Sequence, residues 1–119
     1  MDIKQMATEV YNTLGSGFSE CVYHRAMEVL LRSNNIQYES ERIIPINFKE
    51  HVIGNFRADL IVDKEIIIEL KNIKTLTNTT KRQLDVYLDN TDCNEGYLIN
   101  FPTPDGGSDI EIHYVKRLE

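Results

Sequence analysis

Apolar residues recur along this chain with two different periods, and the change of period divides it into helical and extended stretches. Over residues 2–14, Ile3, Met6, Val10 and Leu14 fall at three- and four-residue spacing, which places them on one helix face. Gly15, Ser16 and Gly17 interrupt that pattern. Ser19 is suited to cap a second helix reaching about Asn34, with Val22, Ala26, Val29 and Leu30 as its apolar stripe. The period then shortens to two. Residues 38–48 and 51–62 read as strands joined by a turn at Lys49-Glu50-His51. In the second of them Phe56, Ala58, Leu60 and Val62 alternate with Arg57, Asp59 and Ile61. A strand at 65–71 holds Ile66, Ile67 and Ile68 in a row, as expected of a central strand covered on both faces. Thr75 to Thr80 is polar and can cap a third helix through about Asp89, with Leu84, Val86 and Leu88 as its apolar surface. Strands at 95–101 and 109–116, separated by the turn-rich residues 102–108, complete the order ααβββαββ. The pattern predicts an α/β fold, a mixed β-sheet flanked by helices.

Composition narrows the function. A chain of 119 residues is expected to form a single domain, 1–119, around one modest core. Its 41 % hydrophobic and 27 % charged residues are ordinary for a soluble globular protein. No apolar run approaches a membrane span, and the N-terminus lacks the apolar stretch of a signal peptide, so a cytoplasmic location is expected. Cys21 and Cys93 are too few for a disulfide framework or a zinc cluster, and His24, His51 and His113 show no ligand spacing. A net charge of −6 argues against a protein that coats nucleic acid by long-range attraction. It is compatible with a site whose clustered carboxylates hold divalent cations.

The chemistry-bearing stretch runs from Asp59 to Lys71. Strand periodicity puts Glu69 and Lys71 on one face, with Ile67 beside them, and puts Arg57, Asp59 and Ile61 on one face of the preceding strand. If residues 63–65 form a three-residue turn, the hairpin pairs 61 with 67, 59 with 69, and 57 with 71. Asp59 and Glu69 then stand side by side, as do Arg57 and Lys71. Opposed like charges are unfavourable on a surface without a task. A hard divalent cation between two carboxylates removes the conflict, and a lysine beside it can orient a water or offset developing negative charge. Taken alone, a D-x9-E-x-K spacing is loose enough to arise on a solvated sheet face.

Further residues join it. Gly17-Phe18-Ser19-Glu20-Cys21-Val22-Tyr23 reads G-x-x-E-x-x-Y at a helix start, after Leu14-Gly15-Ser16-Gly17. With Arg57-Ala58-Asp59-Leu60-Ile61-Val62, Ile68-Glu69-Leu70-Lys71 and Leu98-Ile99-Asn100-Phe101, the chain resembles the GxxExxY family of the PD-(D/E)XK nuclease superfamily. Ala58 stands where the superfamily's name has proline, a backbone feature and not a ligand. Gln83 and Tyr87, four apart on one face of the third helix, look like the Q-x-x-x-Y motif of RecB-type nucleases.

The resemblance implies a restriction-endonuclease-like core and a metal-dependent, endonucleolytic nuclease acting on DNA rather than RNA. It implies Mg²⁺, with Mn²⁺ as a substitute, held by Glu20, Asp59 and Glu69 and by the Leu70 carbonyl, with Lys71 catalytic beside them. Gln83, Tyr87, Tyr23 and Arg57 are then candidate substrate contacts. So are Lys74, Lys81 and Arg82, the one basic patch of an acidic chain. A homodimer would enlarge the small surface available to grip a duplex. The alternative is a catalytically weak nucleic-acid or protein binding module that retains the fold.

Overall fold

The first helix begins at a reciprocal cap: the Gln5 N–H donates to Asp2 Oδ1 at 2.7 Å, and the Asp2 N–H donates to Gln5 Oε1 at 3.0 Å. In the computed structural model, which describes residues 2–117, helix α1 then runs Ile3–Leu14. Met1, Leu118 and Glu119, the ends of the expected 1–119 domain, lie outside the described residues. α1 buries Ile3, Met6, Ala7 and Val10, the face its periodicity predicts.

Helix α2 runs Glu20–Ser33 but is turned from the expected stripe. It buries Tyr23, Met27 and Leu31, while Val22 and Val29 face solvent. The reason is Tyr23. Its hydroxyl donates to the Gly15 carbonyl at 2.6 Å, and its ring stacks on Phe101 with centroids 4.4 Å apart. A phenol whose polar end is satisfied can be buried whole. The tyrosine row, not the valine row, therefore takes the core side. Gly15 and Gly17 have φ of +71° and +103°, which lets the chain fold back over the Tyr23 hydroxyl before α2 starts.

Strands β1 (Tyr38–Phe48) and β2 (His51–Val62) form a long hairpin. Its turn is tighter than the expected one. Lys49 and Glu50 alone make it, with φ of +47° and +68° as a two-residue hairpin requires, and His51 already belongs to β2. Strand β3 (Ile66–Lys71) follows, then α3 (Asn78–Asp89), β4 (Glu95–Asn100) and β5 (Glu111–Lys116). The five strands lie in chain order; only β3 and β4 are parallel, and α3 connects them. β3 is central, as its isoleucines predict. Ile68 and Leu70 pack against α1 and α2, while Ile67 packs against α3 with Leu84 and Leu88. Val86, expected to be apolar surface of α3 toward the core, is exposed, because Leu84, Leu88 and Tyr87 already fill the sheet-facing row. Among the described residues no helix is long and apolar enough to cross a membrane.

Candidate active site

The β2–β3 hairpin turns at residues 63–65 and pairs Ile61 with Ile67, the register expected from the sequence. The ladder then stops early. The last pair is Leu60 with Ile68, so neither Asp59 with Glu69 nor Arg57 with Lys71 is joined by the sheet. Asp59 replaces the missing rung with its side chain: Oδ2 accepts the Leu70 N–H at 2.8 Å. β2 also changes phase here. Phe56, Ala58 and Ile61 face α3, whereas Leu60 and Val62 face α1 and α2. Two successive residues, 59 and 60, thus leave the α3 side, and the expected shared face of Arg57, Asp59 and Ile61 does not form. Across the hairpin, Glu41 sits between the pairs Ser40–Leu60 and Arg42–Ala58 and has φ of +55°. The backbone bends where the two strands part, and the carboxylate of Asp59 is directed toward β3.

Glu69 is the central group. It is 6 % exposed, and its Oε1 is buried without a hydrogen-bond partner. Burial pushes its carboxyl up to about 10, helped by a hydrogen bond to the Asp59 carboxyl and by the negative charge there; the Asp59 backbone and the Lys71 ammonium oppose this weakly. Two adjacent carboxyls with one shared proton are what such a pair adopts when no cation is present. Asp59 and Glu69 are thus neighbours through the bond of the Asp59 side chain to the Leu70 N–H, next in the chain to Glu69, and not through strand pairing.

Lys71 ends β3, half-buried beside Asn100 of β4. It lies close enough to both Glu69 and Glu20 to lower their carboxyls. Glu20, in the first turn of α2, is raised first by partial burial and then by Asp59. Glu20 and Asp59 line one cavity of about 250 Å³. Among the described residues no three His, Cys, Asp or Glu side chains form a group that could hold a metal ion as they stand. The expected convergence of three carboxylates is thus a tight pair with a third acid beside it. The pair fits a hard cation: oxygen donors, one of them orphaned and buried, with charge that needs compensation. Magnesium sites commonly use one or two carboxylates and leave the remaining positions to water and phosphate.

The other candidates divide. Tyr87 stacks on Phe56 at 3.9 Å between centroids, and its hydroxyl is held above its usual range by burial and then by Glu69 and Asp59, so it borders the acidic pair. Gln83 is exposed on α3, and no hydrogen bond joins it to Lys71 among the described residues. Lys74 and Arg82 are exposed and Lys81 half-buried, at the β3–α3 connection and the start of α3; Lys74 is 3.7 Å from Asp105. Arg57 is exposed on β2 and lines the cavity with Glu20 and Asp59. Tyr23 is fully buried and its hydroxyl is committed to Gly15, which leaves no side-chain surface for a substrate. It places Glu20 instead, by fixing the loop that precedes α2. The Leu70 side chain is in the core, and its N–H is taken by Asp59.

Two positioning residues were not legible in the sequence. Asn100 is fully buried. Its side chain accepts the Ile73 N–H at 2.9 Å and donates to the Ile73 carbonyl at 3.0 Å and to Glu111 Oε1 at 2.9 Å. Glu111 also accepts from the Thr75 hydroxyl at 2.8 Å and the Leu76 N–H at 3.0 Å. Burial raises its carboxyl, but these bonds together outweigh that and hold it below its ordinary value. The knot fixes the connection that carries the chain from Lys71 to α3. A polar residue in an otherwise apolar strand, Asn100 in Leu98-Ile99-Asn100-Phe101, was the available signal. Asn100→Ala is expected to destabilise the protein by about 1–3 kcal/mol, since it strands the Ile73 N–H, while the Ile73 carbonyl keeps only the Thr103 N–H. Urea denaturation measures this.

A family model described as the PD-(D/E)XK nuclease superfamily matches residues 1–113. The crystal structure of SSO0001 matches with a TM-score of 0.61 and 27 % sequence identity, over 83 % of this chain and 50 % of that one. This chain therefore spans half the length of that relative. No curated protein matches.

Proposed function

Because this chain belongs to the PD-(D/E)XK nuclease superfamily, we propose that it is a metal-dependent endonuclease that hydrolyses phosphodiester bonds in DNA. Its five-stranded mixed sheet with flanking helices is a restriction-endonuclease-like core. The observation that carries the proposal is the pairing of half-buried Asp59 with buried Glu69, whose Oε1 has no partner, near Lys71. Asp59 and Glu69 hold Mg²⁺, or Mn²⁺ in its place, with Glu20 as the third acid and the Leu70 carbonyl available. When bound, the ion supplies Lewis acidity and an activated water. Asp59 stays oriented because the Leu70 N–H holds its other oxygen side. Lys71 presents its ammonium to the charge that develops on the phosphate. Tyr87 walls the site on the α3 side, and Lys74, Lys81 and Arg82 meet the phosphate backbone.

The spacing of Gly17, Glu20 and Tyr23 supports a reading of the chain as a single-domain member of the GxxExxY group of the superfamily. Two unpaired cysteines support a cytoplasmic setting. A second copy would widen the grip, and exposed Phe48, Val52 and Ile53 at the tip of the β1–β2 hairpin offer it apolar surface. Incubation of plasmid, branched DNA and RNA with Mg²⁺ or Mn²⁺, beside a Lys71→Ala variant, tests the proposal. Metal-dependent cleavage of DNA by wild type and not by the variant is expected. Equal cleavage by both would identify a contaminant. Tight binding without cleavage would leave a binding module.

A further inference from the structure

Arg32, Arg42 and Arg117 each sit within 4 Å of a carboxylate. Arg25 on α2, Arg57 on β2 and Arg82 on α3 do not: among the described residues none of the three makes an ion pair or side-chain hydrogen bond, although this is an acidic chain. Arg25 and Arg57 line the cavity of about 250 Å³ that also holds Glu20, Asp59, Glu41 and Glu28, the last of which lies within 4 Å of His24 and Arg32. Two guanidiniums thus share a cavity with two carboxylates of the candidate site and are paired with neither.

We propose that this cavity, between α2 and the β1–β2 hairpin, seats the phosphodiester backbone of a nucleic-acid strand, with Arg25 and Arg57 as its cationic contacts. The proposal rests on the nuclease reading above and assigns that site a second phosphate-binding flank. Free guanidinium forks match phosphate oxygens in a bidentate way. An acidic chain also needs local positive charge to bring a polyanion to carboxylates. The walls are held apart at a set distance, since His24 Nε2 on α2 lies 2.9 Å from Ser40 Oγ on β1. Lys74, Lys81 and Arg82 come from a different part of the fold, the β3–α3 connection and the start of α3. The cavity takes a length of backbone and not a duplex, and its contacts are to phosphate, so binding there is independent of base sequence.

The test is fluorescence anisotropy with labelled single-stranded and duplex DNA, in Ca²⁺ so that the strand is not cut, across a salt series. Arg25→Ala/Arg57→Ala is expected to weaken binding at least tenfold at low salt and to reduce the slope of log K against log salt by about 2 for duplex. Arg25→Lys/Arg57→Lys should restore most of the slope. Arg42→Ala, which removes one positive charge from an ion pair outside the cavity, should change neither. Wild-type affinity and slope in the double alanine variant would overturn the inference and leave the nuclease reading standing. Arginine-dependent binding by a wild type that never cuts would uphold the contact and overturn the nuclease.

Discussion

Lys71→Ala is expected to lower the rate of phosphodiester cleavage by about 10²–10³-fold, the usual cost of removing one preorganised group that meets transition-state charge. The Lys71 ammonium is near enough to act electrostatically on both Glu69 and Glu20, yet its influence on each is smaller than that of burial. Its loss should therefore leave the fold intact. Cation affinity should change little, because two effects oppose: a like charge next to the ion disappears, while the carboxyls become harder to ionise. The loss should fall on kcat, with KM nearly unchanged, since the ammonium acts on charge that develops only in the transition state. Single-turnover kinetics on a DNA substrate, with circular dichroism of the variant, measures this. A fall in KM-linked binding with unaltered kcat would make Lys71 a substrate anchor instead.

Glu69→Gln is expected to abolish cleavage and yet stabilise the metal-free protein. The sign follows from the raised carboxyl. Glu69 titrates at about 10 in the fold against an ordinary 4.5, so the fold retains a proton that the unfolded chain releases. Its contribution to stability is fully present below 4.5 and is lost as the pH rises toward about 10. Metal-free wild type should accordingly weaken between about pH 5 and about pH 9, and Glu69→Gln should remove that decline. Adding Mn²⁺ should stabilise wild type, increasingly so at higher pH, because the ion competes with the shared proton. The variant should gain nothing. Urea denaturation in chelator and in Mn²⁺, at several pH values, reads both effects.

Much of the fold was legible because local signals agreed with one another. The α1 face, the isoleucine run of β3, the threonine cap of α3 at Thr77 and the three-residue turn at 63–65 each follow from periodicity or turn chemistry. The acidic pair was legible through the hairpin register, which holds as far as Leu60 and Ile68. What periodicity missed is tertiary. Tyr23 and Met27 displaced Val22 and Val29 from the core side of α2, because a hydrogen-bonded tyrosine stacked on Phe101 outweighs hydropathy rank. The phase change at Asp59 was hidden because a side chain takes the place of a ladder bond, which alternation cannot register. Asn100 and Glu111 belong to different strands, and only their pairing in the sheet brings them to the same connection.

The central claim is that Asp59 and Glu69 jointly hold a divalent cation. Isothermal titration of Mn²⁺ into metal-free wild type and into Asp59→Asn/Glu69→Gln, with no nucleic acid present, tests it most directly. Saturable binding by wild type, with release of protons, and its loss in the double variant are expected. Equal heats and equal affinity in the two proteins would contradict it.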